Sequence, residues 1–132
     1  MTDTTPTESN LSGLDRKDFQ KNINSRKTDL YILKNAQGME VAVTNYGCAI
    51  LSIMVPDKNG KFANVILGHD SIEHVINSPE PFLSTTIGRY GNRIANGKFT
   101  LYGEEHQLTV NNGPNSLHGG PTGFHARVWD AV

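Results

Sequence analysis

The chain has 132 residues, of which 36% are hydrophobic and 19% are charged, and its formal net charge is −1. This length allows at most one ordinary domain. Because acidic and basic residues are interspersed, the sequence has no basic segment of the kind that binds nucleic acid or an anionic membrane. The single cysteine, Cys48, cannot form an intrachain disulfide, and its position in an apolar run predicts a buried, inert thiol.

The amino-terminal segment is polar and has no continuous apolar run. Residues 1–12 are rich in Thr, Ser and Asn and include Asp3 and Glu8, a composition that predicts a disordered tail and argues against a signal peptide. Because no segment approaches the length of a membrane span, we expect a cytoplasmic protein. Residues 13–132 are expected to form the structured domain, in which Leu14–Asn24 has a weak pattern compatible with a turn or a short helix.

From Thr28 onward the hydrophobic pattern has a period of two, which is typical of β-strands. Leu30 and Ile32 share one face of the first strand, and Val41 and Val43 share one face of the next. Strands are predicted at residues 28–34, 39–45, 49–55, 62–67, 98–102 and 106–110, with turns at residues 35–38, 56–60, 96–97 and 102–105, and a loop at residues 111–115.

The best helix candidate is Ser71–Ile76, where Ser71 is the expected N-cap. Short strands separated by turn residues, without a long helical pattern, predict an all-β fold, either an antiparallel β-sandwich or a barrel. Trp129 and Phe124 present aromatic rings that suit either a sugar face or the core. We favour a core role for Trp129, because Ala126–Val132 has a strand-like pattern.

The candidate functional residues lie in two glycine-rich segments, Gly88–Ile94 and Asn115–Gly120. His118 precedes two glycines, and its imidazole can donate, accept or transfer a proton near neutral pH. Asn92 and Arg93 offer the donors and acceptors that match adjacent hydroxyls on a sugar ring. The alternatives are that His118 only hydrogen-bonds a neighbouring loop and that each arginine is a surface charge or part of a structural ion pair.

Metal and cofactor signatures are missing from the sequence. The spacings of His106, His118 and His125 match no zinc motif, so we expect no metal. His69 and His74 are expected to be surface or packing residues. The chain has no phosphate-binding glycine loop, Ser-His-Asp order or Cys-x-x-Cys pair, so we expect no cofactor.

Four motifs resemble, in order and spacing, the amino-terminal part of the aldose 1-epimerase (galactose mutarotase) family: Thr44–Gly47, Val55–Asp57, Ile87–Ala95 and Asn115–Gly120. The last two are specific, and the likeness runs from about Phe19 to the end. The resemblance implies a large antiparallel β-sandwich and an isomerase that interconverts the α and β anomers of free hexoses such as galactose and glucose. A base takes the proton of the anomeric hydroxyl while an acid protonates the ring oxygen, without a metal or an organic cofactor.

The resemblance also implies roles for individual residues. Asn92 and Arg93 match the family's Asn-Arg pair that holds sugar hydroxyls. His118 matches the first of two active-site histidines, which binds the sugar near its reacting end, and it is our candidate catalytic residue. Gly119 and Gly120 are expected to keep that wall of the pocket open.

Family members are more than twice as long as this chain. The resemblance implies that their second histidine, their glutamate base and a substrate-binding aspartate lie in the part of the family sequence that has no counterpart in this chain. We therefore expect residues 13–132 to be the amino-terminal portion of a mutarotase-like domain, a fragment that is inactive alone. The alternative is a non-catalytic carbohydrate-binding β-sandwich, which needs neither acid nor base. A sugar-phosphate epimerase is disfavoured, because no cluster of basic residues is visible in the sequence. The preferred aldose and the oligomeric state stay open.

Overall fold

The structure is a computed structural model, and it describes residues 9–132. Most of the tail expected at residues 1–12 lies outside the described residues. The backbone N–H groups of Leu11 and Ser12 donate to the buried carboxylate of Glu40, at 2.9 and 3.2 Å. Glu40 thereby anchors the start of the described chain to the sheet that follows.

The described residues contain ten strands, one short α-helix and three 3-10 turns. The strands are β1 (Asn22–Ile23), β2 (Arg26–Lys27), β3 (Leu30–Lys34), β4 (Glu40–Thr44), β5 (Ala49–Pro56), β6 (Phe62–Asn64), β7 (Arg93–Ile94), β8 (Lys98–Leu101), β9 (Glu104–Gln107) and β10 (Ser116–Leu117). The helix α1 spans Ile72–Ile76, and the 3-10 turns span Arg16–Phe19, Ala95–Gly97 and Phe124–Ala126.

Every strand pairs antiparallel. Strands β3, β4, β5 and β6 form a four-stranded sheet in that order, and β1–β2, β8–β9 and β7–β10 form three two-stranded sheets. The register between β4 and β5 shifts between Ala42 and Val43, which marks a bulge in the large sheet. The predicted all-β antiparallel fold class is therefore confirmed.

The core lies between one face of the large sheet and two short helical segments that cover it, the 3-10 turn Arg16–Phe19 and helix α1. On the sheet side it contains Leu30, Ala42, Ala49 and Leu51, and on the other side Phe19, Ile72 and Val75. The inward residues of β4 are Glu40, Ala42 and Thr44, whereas its two valines are half-buried on the opposite face.

The predicted helix is confirmed, and its cap is the expected one: Ser71 accepts a hydrogen bond from the backbone N–H of His74 at 3.3 Å. A turn forms within the predicted residues 102–105, but it is shorter than predicted. Leu101 pairs with Glu104, so the loop is only Tyr102-Gly103, with φ of 51° and 83°. A two-residue hairpin of this kind favours exposed, positive-φ residues in the loop, and the strand begins at Glu104, two residues earlier than predicted.

Two further expectations need correction. Trp129 is half-buried and lies outside the main core cluster; it packs edge-on against Phe124, with ring centroids 5.1 Å apart. The segment 126–132 forms a single bridge, Tyr46 to Val128, and no continuous strand.

Cys48 is half-buried just before β5, and burial raises the pKa of its thiol.

Candidate functional site

The two glycine-rich segments meet at the pairing of β7 with β10. Ser116 lies opposite Ile94, and Leu117 lies opposite Arg93. One residue further, the backbone N–H of His118 donates to the Asn92 carbonyl at 3.0 Å. The structure therefore brings Asn92, Arg93 and His118 into one cluster, although the two segments are more than twenty residues apart in sequence.

The imidazole of His118 is held in a defined tautomer. Its Nδ1 accepts a hydrogen bond from the backbone N–H of Asn92 at 2.9 Å. A backbone N–H can only donate, so Nδ1 carries no proton in this arrangement and the proton of the neutral ring lies on Nε2. The cluster therefore offers Nε2–H as a hydrogen-bond donor.

Arg93 is fixed on one side and open on the other. Its Nε donates to Oδ1 of Asn112 at 2.8 Å, and one Nη donates to Oδ1 of Asn92 at 3.1 Å. The other Nη has no hydrogen-bond partner within residues 9–132. Because Asn92 and Arg93 are both exposed, their remaining N–H groups are accessible to a ligand.

The ring of Phe82 lies beside His118 and was not singled out from the sequence. The ring of Phe82 packs edge-on against His118 and against His125, with centroid distances of 4.8 and 4.6 Å. His125 is buried, and its Nδ1 has no hydrogen-bond partner in the described part of the chain. Burial, and then the neighbouring His118, lower the pKa of His125. Phe82 carried no sequence signal, because a phenylalanine in a loop is more often a packing residue.

The glycines of the cluster serve the contact between the two loops. A Cβ on Gly119 would lie 1.9 Å from the Gly88 carbonyl oxygen, and Gly119 has a φ of 87°. A Cβ on Gly88 would lie 2.4 Å from the ring of Phe124, whose backbone N–H donates to the Gly88 carbonyl at 3.1 Å. One side of Gly119 thus contacts the Gly88 backbone, while Gly119 also lines the cavity described below. A Cβ on Gly120 would have no neighbouring atom closer than 3.6 Å.

The motif Thr44–Gly47 holds the carboxy-terminal segment against the large sheet. The side-chain amide of Asn45 donates to the carbonyls of Lys27 and Trp129 at 3.1 and 3.0 Å, and its oxygen accepts from the N–H of Asp29 at 2.8 Å. The N–H of Gly47 donates to the Arg127 carbonyl at 2.7 Å. These bonds set the position of the segment that carries His125, so this motif is part of the frame of the site.

A cavity of about 1060 Å³ adjoins the cluster. Asn92 and Arg93 line it, whereas His118 is not among its lining residues. Glu104 and Glu105 lie on β9 and outside the lining, which contains no carboxylate. The arrangement can therefore bind hydroxyl groups, but the described residues supply no carboxylate base beside it.

Residues 9–132 contain no group of three or more His, Cys, Asp or Glu side chains placed to hold a metal ion. His74 pairs with Asp70 at the surface. Within the same residues, no helix is both long enough and apolar enough to cross a membrane.

Comparison with known proteins identifies a family. The family described as aldose 1-epimerase matches residues 29–132. Galactose mutarotase from Bos taurus is 43% identical over 91 residues, which cover 69% of this chain and 26% of that protein. Aldose 1-epimerase from Escherichia coli K12 is 41% identical over 103 residues, which cover 78% of this chain and 30% of that protein.

Solved structures give the same result. An aldose epimerase homologue from C. elegans superposes with a TM-score of 0.74 at 34% identity, covering 80% of this chain and 32% of that one. Galactose 1-epimerase from Lactobacillus acidophilus superposes with a TM-score of 0.68 at 32% identity, covering 83% and 31%. The chain thus spans between about a quarter and a third of the length of these relatives.

Proposed function

The chain belongs to the aldose 1-epimerase family, and on that premise we propose that it takes part in interconverting the α and β anomers of free hexoses such as galactose and glucose. Its own contribution is the hydroxyl-binding part of the sugar site. The observation that carries the proposal is the cluster itself: Asn92 and His118 are joined by reciprocal hydrogen bonds, and Arg93 is tied to Asn92.

Each residue of the cluster has a separate task in this proposal. Arg93 and Asn92 donate to neighbouring hydroxyls on one edge of the ring, where a fixed guanidinium orients the sugar at little entropic cost. His118 donates its Nε2–H to an oxygen near the anomeric carbon. That bond polarises the oxygen during ring opening, while its Nδ1 stays occupied by the Asn92 N–H.

Proton transfer requires groups beyond this cluster. In the reaction a base removes the O1 proton, the C1–O5 bond breaks as C1=O1 forms, and an acid delivers a proton to O5; reclosure after rotation reverses these steps. His118 is not the base in this proposal, because the only unprotonated nitrogen of its neutral ring already accepts a hydrogen bond from the Asn92 N–H. We therefore propose that this chain alone binds the sugar with little or no catalysis.

A galactose titration of the full 132-residue chain, followed by NMR, tests the binding role. We expect perturbed signals from Asn92, Arg93 and His118. His118→Ala should weaken binding about five- to tenfold, since a hydrogen bond contributes about 1 kcal/mol. His74→Ala is the matched control, because His74 is exposed on α1 and its ring contacts Asp70. Equal affinity of wild type and His118→Ala would refute the role of His118.

The second candidate function is a non-catalytic carbohydrate-binding module, favoured by the absence of a carboxylate from the cavity lining. Polarimetry of freshly dissolved α-galactose separates the two candidates. Acceleration of mutarotation by the chain over buffer, lost in His118→Ala, would support an enzyme and refute the expectation that the chain is inactive alone. Galactose binding without acceleration would fit either a binding module or an inactive part of an enzyme, and rotation measured with a longer product of the same gene, if one exists, would decide between them.

A further inference from the structure

Three Asn-Gly pairs occur in the chain, and each is a candidate for spontaneous deamidation. They are Asn59-Gly60, Asn96-Gly97 and Asn112-Gly113. Asparagine is a thermolabile residue, and it reacts fastest before glycine, because glycine has no side chain to keep its backbone nitrogen away from the asparagine amide carbon. The structure places the three pairs in different surroundings, and these surroundings distinguish them.

The first two pairs are restrained by the fold. The N–H of Gly60 donates to the Asp57 carbonyl at 3.0 Å, so the nitrogen that would have to attack is already engaged. Gly97 is buried, and a Cβ there would lie 2.9 Å from the Leu108 carbonyl oxygen. A buried backbone has little access to the water or hydroxide that must accept its proton. We therefore expect both pairs to react slowly while the chain is folded.

The third pair, Asn112-Gly113, lies at an exposed hairpin tip. The backbones of Asn112 and Asn115 exchange two hydrogen bonds, at 3.1 and 3.0 Å, and leave Gly113 and Pro114 between them. Gly113 is exposed, and a Cβ there would have nothing within 4 Å. Its N–H donates to no acceptor in the part of the chain that the structure describes. The nitrogen that would attack is thus accessible and unengaged.

The side chain of Asn112 is activated by a neighbouring cation. Its Oδ1 accepts a hydrogen bond from Nε of Arg93 at 2.8 Å. When a nucleophile adds to the amide carbon, negative charge develops on this oxygen, and a positively charged donor already aimed at it stabilises that charge. The hydrogen bonds that the structure gives Asn59 and Asn96 use only their backbone atoms. Activation of this kind therefore distinguishes Asn112 from the other two.

We propose that Asn112 is a site of deamidation and that Arg93 accelerates the reaction. The Gly113 nitrogen loses its proton to water or hydroxide and attacks Cγ of Asn112. The bond from Cγ to the side-chain nitrogen then breaks, and this nitrogen takes up a proton from water and leaves as ammonia. Water opens the resulting succinimide at either carbonyl, so the product is aspartate or isoaspartate. Water is the only co-reactant, and nothing is oxidised or reduced.

Either product changes the support of Arg93. Aspartate would set a carboxylate against Nε of Arg93 in place of a neutral amide oxygen and form an ion pair. Isoaspartate would insert the side-chain methylene into the main chain at the Asn112–Asn115 bridge and move the acceptor oxygen away from Arg93. The inference goes beyond the proposed function, because the reaction takes place without a sugar.

Peptide mapping by mass spectrometry tests the proposal on the full 132-residue chain after ageing at mildly alkaline pH. A parallel sample aged in guanidinium chloride gives the rate at each pair without the fold. We expect the fold to slow deamidation at Asn59 and Asn96, and to speed it at Asn112 about fivefold relative to the denatured chain, since Arg93 contributes a charge-assisted hydrogen bond. A rate at Asn112 equal to or below that of the denatured chain would overturn the proposal.

Two methionine variants test the role of Arg93. Arg93→Met keeps an unbranched side chain but removes the donor, and it should slow deamidation at Asn112 about fivefold without changing the rate at Asn59. Arg89→Met is the matched control, because it removes the same charge from the same segment, and the Arg89 guanidinium lies over the ring of Phe124. Equal slowing in both variants would refute activation through the contact. The folded and denatured samples of wild type decide the proposal even if Arg93→Met disturbs the hairpin.

Discussion

The substitution Gly119→Ala tests whether the two glycine-rich loops are locked together by direct backbone contact. The new Cβ would lie 1.9 Å from the Gly88 carbonyl oxygen and 2.7 Å from its carbon, at a residue whose φ is 87°. Alanine at a positive φ costs about 1 kcal/mol. Relieving the clash requires the loops to separate, and overpacking of this kind costs about 2 kcal/mol more.

Two other glycines provide matched controls. Gly120 has a φ of 78°, and a Cβ there would have no neighbour closer than 3.6 Å; Gly103 has a φ of 83°, and a Cβ there would have nothing within 4 Å. Alanine at either position should therefore cost only the backbone strain. With a urea m-value of about 2 kcal/mol per M, we expect midpoint shifts of about 1.5 M for Gly119→Ala and about 0.5 M for each control.

Urea unfolding followed by fluorescence is the assay, because Trp129 is the only tryptophan and packs against Phe124 at this junction. Fluorescence reports the loop contact directly, and circular dichroism at the same urea concentrations reports the sheets. Equal midpoint shifts for Gly119→Ala and Gly120→Ala would refute the reasoning, because they would show that only the sign of φ matters.

Three further predictions concern the frame around the site. Asn45→Ala should lower the unfolding free energy by about 2 to 3 kcal/mol and shift the emission maximum of Trp129, since it removes three hydrogen bonds, including the one to the Trp129 carbonyl. An unchanged emission maximum in this variant would show that Asn45 does not hold the carboxy-terminal segment in place. Desolvation raises the pKa of Asp29, but hydrogen bonds from Arg16, the Leu30 N–H and Gln20 outweigh it, so its pKa lies below the ordinary 3.8. Because the pKa of Asp29 is lower in the folded state than in the unfolded state, its ionised carboxylate stabilises the fold at pH values above 3.8, and this stability is lost as the pH falls below 3.8 toward the lowered pKa. The urea midpoint of Asp29→Asn should therefore change less with pH over that range than the midpoint of wild type. Cys48 should react with iodoacetamide more slowly than free cysteine at mildly alkaline pH and faster in urea, since burial raises its thiol pKa; equal rates would contradict its half-buried position.

The sequence predicted the large sheet better than the small ones for a physical reason. Strands β3, β4 and β5 are five to eight residues long and bury one face, so their alternation is visible. Strands β7 and β10 have two residues each and pair across more than twenty residues. A two-residue strand has no periodicity to detect, and its pairing is decided by loops that fold around it.

The candidate site was predictable only in part. The sequence singled out His118 and Asn92 because the glycines around each suggest a constrained loop that a ligand can approach closely. Phe82, which contacts His118 edge-on, and Arg127, which joins the cavity, could not be found, because contacts between distant residues leave no local pattern. The structure also shows why the glycines are there: Gly119 allows the loops to touch, which local sequence cannot distinguish from access for a ligand.

The motifs that carry the family resemblance therefore have two different physical duties. Asn45 and Gly119 build the frame, through hydrogen bonds to the carboxy-terminal segment and through close backbone contact. Asn92, Arg93 and His118 present donor groups on that frame. A match to the motifs Thr44–Gly47, Ile87–Ala95 and Asn115–Gly120 therefore predicts the frame and the donors together, whereas the reaction we propose also needs an acid and a base beyond these donors. Sugar binding and anomer interconversion must therefore be measured separately, because these side chains predict sugar binding but do not predict proton transfer.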